Sequence, residues 1–227
     1  MTPLKIIKTA KTEKLDIIAV CDHNSSRNTE AVIRAARPTG ITVVAGMEIC
    51  TREEVHLIAL FKCLSDAREM GEMIRRGLSE KNYPDIFGYQ VIADEKDMVA
   101  GQEDMLLISA SQLSLDEAVR NIHSRDGIAV AAHVDRPVYS IVSQLGFIPD
   151  RPALDAVEIS RHGFGRAGFH KFLDNTGLPC ILSSDAHFLQ DIATGYTVFD
   201  MKDTSFETLR NALINKKFRC FVKRPES

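Results

Sequence analysis

From Leu15 to Cys21 the chain is almost continuously apolar, and the same short pattern returns at Ile41–Ala45, Ile128–Ala132, Ala156–Ile159 and Cys180–Ser183. Unbroken apolar runs of this length predict strands buried on both faces of a sheet, because a strand with one wet face alternates instead. Between the runs the spacing turns helical. Thr2-Pro3 opens a helix to about Lys14, with Leu4, Ile7, Lys8 and Lys11 at helical intervals. Asn28 caps a second helix through Ala36, and Ser65 starts a third to about Leu78. Ser114-Leu-Asp-Glu117 is a capping box whose helix runs to Arg125 and stops at Asp126-Gly127. Further helices are predicted over Val138–Leu145, Phe164–Asn175 and Ser205–Asn215, with strands at Thr197–Phe199 and Phe218–Val222. Val55–Phe61 follows only the short connection Thr51–Glu54 and reads as an antiparallel return. Pro84, Gly88 and Gly101 punctuate a hairpin inserted over about residues 83–102. Strands alternating with amphipathic helices predict one α/β domain over 1–227, with a largely parallel sheet that is open or closed as a barrel.

Composition narrows the picture. The 227 residues are 44% hydrophobic and 26% charged, which excludes disorder and fibre. With 28 basic against 31 acidic residues the formal charge is −3, so no whole-chain field attracts polyanions, and long nucleic acid is not expected as a partner. No apolar run approaches the roughly 20 residues that cross a bilayer. Lys5 and Lys8 interrupt the apolar N-terminus, so it does not read as a secretory signal and a cytoplasmic location is expected. Cys21, Cys50, Cys63, Cys180 and Cys220 are odd in number, widely spaced and mostly inside or beside apolar runs, and read as buried thiols.

The polar outliers gather at strand ends. Asp22-His23, Glu48, His133 and Asp185-Ala-His187 each follow an apolar run, and His56 begins the antiparallel return. All therefore fall on one rim, where α/β barrels place their active sites. A single strand-end histidine is usually a hydrogen-bonded loop residue. The coincidence of His23, Glu48, His56, His133, Asp185 and His187 instead predicts a centre for divalent Zn, Mn or Fe, with too many donors for one closed tetrahedral site. Such a centre implies hydrolysis with metal-activated water, or stabilisation of a phosphoryl group. Arg136 and Arg161 lie near the same rim as candidate phosphate ligands, with an ordinary ion pair as the alternative for Arg136. Glu158-Ile-Ser-Arg161-His162 also ends a strand there, and His162 is a second candidate for substrate contact. His123 and His170 read as helical surface residues, and Gly163, Gly165 and Gly168 do not have the spacing of a dinucleotide fingerprint.

In order along the chain, Ile-Ala-Val-Cys-Asp22-His23-Asn24, Val-Ala-Gly46-Met-Glu48-Ile, Val55-His56-Leu-Ile-Ala-Leu, Ala-Ala-His133-Val-Asp-Arg136-Pro, Ala-Val-Glu158-Ile-Ser and Ser-Ser-Asp185-Ala-His187 resemble the successive motifs of the PHP (polymerase and histidinol phosphatase) superfamily. The resemblance implies a distorted (β/α)7 barrel, up to three metal ions at its rim, and a phosphoesterase acting on a small phosphorylated metabolite or nucleotide. It further implies that Glu48 bridges two metals, that His56 and His133 complete one site, that Asp185 belongs to the other, and that His23 and His187 serve a third. Asp185 would orient or deprotonate the attacking water. The family pattern begins with a strand ending in His-x-His, and the sequence reads as starting at the helix that follows it. One metal position then keeps only Glu48 and Asp185, so impaired turnover is expected. The alternative reading is a PHP-like module that binds metal or a partner without turnover, and the open sheet edge offers a contact between copies.

Overall fold

The computed structural model describes residues 1–166 and 176–223. Its first half runs α1 (Pro3–Thr12), β1 (Ile17–Val20), α2 (Thr29–Ala36), β2 (Thr42–Cys50), β3 (His56–Phe61), α3 (Leu64–Arg76), α4 (Pro84–Phe87), β4 (Val91–Ala93) and β5 (Val99–Gln102). There follow α5 (Leu115–His123), β6 (Ile128–Ala131), α6 (Ile141–Leu145), β7 (Ala156–Ile159), β8 (Cys180–Leu182), β9 (Gly195–Phe199), α7 (Phe206–Ile214) and β10 (Phe218–Val222). The helix expected over Phe164–Asn175, with Gly168 and His170, falls largely outside the described residues.

The apolar runs form one six-stranded sheet in the order β1-β2-β3-β6-β7-β8. It is curled into a half-barrel, the α/β architecture of a distorted barrel. β1 and β2 are parallel, as are β6, β7 and β8, while β3 is antiparallel to both of its neighbours. That single reversal brings the start of β3 to the same rim as the carboxyl ends of the other strands. β2, β3, β6 and β7 are largely covered on both faces, which is why their runs are continuous. β1, expected to be buried on both faces, is only half-buried, with Ala19 exposed in the open edge. Outside, Ile18, Val20 and Val43 pack on Ile7 of α1 and Val32 and Ala36 of α2. Met47, Leu57, Ala131 and Ile159 pack with Met70 and Ile74 of α3 and Ile122 of α5. Inside, Val44, Ile58, Leu60, Val130 and Ile181 meet Phe206, Leu209 and Leu213 of α7. Each large side chain so buried contributes on the order of 1.5–3 kcal/mol.

Three local outcomes differ from the sequence pattern. β2 extends to Cys50, because Glu48 and Cys50 pair with Ile58 and His56, so Glu48 projects from the strand itself rather than from the loop after it. The helix expected from Val138 begins at Ile141, where Ser140 and Ser143 form a capping box. Thr2 does not cap α1; its hydroxyl donates to Asp97 Oδ2 at 2.6 Å and ties the β4–β5 hairpin to that helix. Among the described residues β1 and β8 each pair on one side only, and between them opens a cleft of about 1190 Å3 that reaches the rim.

Candidate metal centre

Beyond its last paired residue, β1 stays locked to β2. Glu48 N donates to Asp22 O at 3.0 Å and Asn24 N to Glu48 O at 2.7 Å, which sets His23 beside Glu48. Asn24 turns the chain with a φ of 49°, a left-handed conformation that asparagine tolerates better than most residues. Its buried amide donates to Leu107 O and Ser109 O and accepts from Cys50 N, so the turn is fixed from three sides. His133 stands just past β6 with a φ of 29°, again outside the ordinary regions, and is buried.

Three of the six candidate ligands, His23, His56 and His133, converge on a fourth, the Glu48 carboxylate. Glu48 Oε1 lies 2.9 Å from His56 Nδ1 and 3.3 Å from His133 Nε2, and these two nitrogens are 3.3 Å apart. Glu48 Oε2 faces the other way, 3.2 Å from His23 Nδ1. Tyr139, held at a φ of 57°, stacks its ring on His56 with centroids 4.7 Å apart. Burial by itself would raise the Glu48 carboxyl, but hydrogen bonds from His133 and His56 outweigh it and hold the group far below the usual carboxylate range. Burial opposes charge on both His133 and His23; Glu48 overcomes it at His133, whose pKa is raised, but not at His23, whose pKa is lowered.

The donor set fits a metal ion. Around Glu48 Oε1, His56 and His133 form a triangle of acceptor-capable atoms that hydrogen bonds cannot fully satisfy. If both imidazoles donate to the carboxylate, their two N–H groups confront each other. Ligand bonds of about 2.0–2.2 Å hold neighbouring donors roughly 3.0–3.6 Å apart, close to the spacing found here. The second oxygen of Glu48 is free to serve an ion beside His23, and the donor atoms of His23, Glu48 and His56 lie within 4.8 Å of one another.

The remaining candidates stand farther out. Asp185, at a φ of 45°, is ion-paired with Arg136. His187 Nδ1 lies 3.0 Å from the Asp185 carbonyl, and its ring is 6.2 Å from that of His23. Arg136 is thus engaged by a carboxylate. Arg161 is exposed and donates from Nε to His162 Nε2 at 3.3 Å. His123, read from the sequence as surface, pairs with Asp155 at 2.8 Å away from the rim.

One acidic group was not picked out as a site residue from the sequence. Glu158 is 2% exposed, accepts from Ser183 Oγ at 2.5 Å and is pushed up to about 7, first by burial and then by the nearby Asp185 and Glu48. The signal was present in its position. A carboxylate on the same strand parity as Ala156 must point into the half-barrel.

An α/β half-barrel with an imidazole–carboxylate cluster at its rim defines a class of metal-dependent hydrolase folds. The chain belongs to the PHP domain family: the PHP domain model matches residues 1–162 and a PHP-associated model matches residues 170–218. Members of that family are metal-dependent phosphoesterases. Endonuclease Q of Pyrococcus furiosus shares 17% identity and a TM-score of 0.69 over 97% of this chain, which spans only 53% of that protein. A candidate metal-dependent phosphoesterase from Bifidobacterium adolescentis gives 18% identity and a TM-score of 0.60, covering 93% of this chain and 90% of its own. A two-domain protein from Bacteroides vulgatus, containing a PHP-like metal-dependent phosphoesterase, gives 16% identity and a TM-score of 0.60 over 97% of this chain and 60% of that one. No curated protein sequence matches. No helix among the described residues is long and apolar enough to cross a membrane.

Proposed function

We propose that this chain hydrolyses phosphoesters at its rim, with His23, Glu48, His56 and His133 holding divalent metal. The observation that carries the reading is Glu48, buried, with one oxygen toward His56 and His133 and the other toward His23. Bound metal would supply positive charge at the phosphoryl oxygens and a more acidic water. The chain's own residues do the rest. Asp185 accepts the proton of the attacking water, and His187, at the mouth, protonates the leaving oxygen. Arg136 keeps N–H groups beyond its pair with Asp185, and with Arg161 it holds the phosphate in place. Cys21, Cys50, Cys63 and Cys220, which form no disulfide among the described residues, suit a reducing, cytoplasmic compartment.

For the substrate we propose a nucleotide or nucleic-acid phosphoester in place of an unspecified small metabolite. Endonuclease Q has been captured with a 27-mer duplex carrying an abasic lesion at its active site, and that structure aligns with 95% of this chain and 52% of its own length at 17% identity and a TM-score of 0.63. This likeness supports the choice. The test is a panel of p-nitrophenyl phosphate, bis-p-nitrophenyl phosphate and abasic-site DNA, assayed with Mn²⁺ or Zn²⁺. At least one substrate should turn over only with metal, and Glu48→Gln should lower its kcat by about 100-fold or more, since a neutral amide bridges two cations poorly. Metal binding without turnover of any substrate would instead support the non-catalytic module.

A further inference from the structure

The loop after β1 and the outer half of α3 enclose a second cavity, of about 320 Å3, lined by Arg27, Arg68 and Arg75. Arginine is poorly matched by carboxylate here. Arg27 Nη1 and Arg75 Nε both donate to Glu103 Oε2, at 2.9 and 3.0 Å, while Arg34 and Arg68 share Glu30. Glu103 thus serves two guanidinium groups and Glu30 two, with Glu95 a further partner of Arg34 at 3.7 Å. Glu103 is also occupied by its neighbours, its Oε1 accepting from Asp104 N and Met105 N at 3.0 Å each. Glu72 is the other acidic group of the lining, which leaves three arginines against two glutamates on a chain of formal charge −3.

The guanidinium groups have donors to spare. Among the described residues, Nη1 and Nη2 of Arg75 and Nε and Nη2 of Arg27 meet no protein acceptor within hydrogen-bond distance. The side chains of Arg27, Arg68 and Arg75 are 46%, 55% and 40% exposed, so the spare N–H groups are wet and reachable. Planar forks of N–H donors converging from a loop and a helix match the oxygens of a phosphate.

The geometry points to a phosphate subsite in this cavity, filled by a second phosphate of the substrate whose scissile phosphate lies at the Glu48 cluster. The second half of that statement rests on the phosphoester reading above; the first does not. Asn24 and Ser25 form part of the cavity wall and directly follow His23, so the Cα of Ser25 is at most about 7.6 Å from that of His23. A substrate with phosphates on neighbouring positions, such as a nucleoside bisphosphate or a nucleic-acid strand, would engage both places. A monophosphate would engage one.

Two measurements separate the subsite from the active site. In the first, metal-free protein is titrated calorimetrically with inorganic phosphate, and the loss of binding in variants of the cavity arginines separates the subsite from any phosphate held by Arg136 and Arg161 at the rim. Saturable binding is expected, weakened about tenfold in Arg68→Gln and in Arg75→Lys, which keeps the charge paired with Glu103 but loses the fork. In the second, KM is compared for thymidine 3′,5′-bisphosphate and thymidine 5′-monophosphate with metal present. The second phosphate should lower KM about tenfold, and Arg68→Gln should abolish that advantage while leaving kcat and the monophosphate KM unchanged. No phosphate binding by the metal-free protein, or binding that both variants retain in full, overturns the subsite. Binding in the first measurement without a bisphosphate advantage in the second assigns the cavity to free phosphate and overturns its part in substrate recognition. Absence of turnover with intact phosphate binding refutes the catalytic reading and leaves the subsite standing.

Discussion

At the scale of single residues, burial sets the chemistry. Glu158 illustrates the sign. Its folded pKa of about 7 stands above the ordinary 4.5, so the folded protein holds this proton more tightly than the unfolded chain does. Below about 4.5 both states are protonated and nothing is lost. As pH rises from about 4.5 to about 7 the unfolded state deprotonates first, and stability falls. Thermal midpoints with chelator present should therefore show wild type losing stability across that window relative to Glu158→Gln; parallel curves would show that Glu158 does not titrate there. The thiols divide in the same way. Cys50 is 1% exposed and burial pushes it up to about 12, whereas Cys63, expected to be buried like the others, is exposed where the chain turns from β3 into α3. Iodoacetamide should label Cys63 in the native protein and spare Cys50 until unfolding, and peptide mapping would reveal the reverse. Of the six ligand candidates legible in the sequence, the four on or beside the β1–β2–β3–β6 ladder meet at Glu48. Asp185 and His187 do not, because their positions depend on a loop that Ser183 and Ser184 anchor to Glu158 and Gly195, and no spacing rule encodes that.

At the scale of elements, strand separation carries the site. A Cβ on Gly46 would lie 2.8 Å from Cys21 Sγ and 3.0 Å from Ala59 O, so only glycine lets β1 and β3 close on β2 two residues before Glu48. Gly46→Ala should cost about 1–3 kcal/mol in chemical denaturation and weaken metal binding with it, whereas a neutral effect would show that the strands can part freely. β1 is bonded on one side. Asp16 and Asp22 present their carbonyls to Thr42 and Glu48, so by alternation Ile17, Ala19 and Cys21 turn theirs toward the cleft. Hydrogen exchange should be fast at Ile17 and Ala19 and slow at Ala59 in the centre of the sheet; strong protection at Ile17 and Ala19 would mean that another strand, from a second copy for example, covers the edge. The apolar runs made these strands legible from sequence. The extension of β2 was not, because it exists only through pairing with β3, a contact that local pattern does not specify.

At the scale of the whole molecule, average charge and local charge differ. A formal charge of −3 argues against polyanions, while Arg27, Arg68 and Arg75 line one cavity, and an average hides such clustering. The half-barrel was legible because its central strands are buried on both faces and its chemistry sits at strand ends, two properties that leave a mark at each position in turn. The central claim is that Glu48 organises a metal centre with His23, His56 and His133. Its most direct test is an anomalous-difference map from crystals soaked in Mn²⁺ or Zn²⁺. The account predicts a peak at coordination distance, about 2.0–2.2 Å for Zn²⁺, from a Glu48 oxygen, His56 Nδ1 and His133 Nε2, and its absence in Glu48→Gln. Crystals with full metal occupancy elsewhere and no peak among these four side chains would contradict it.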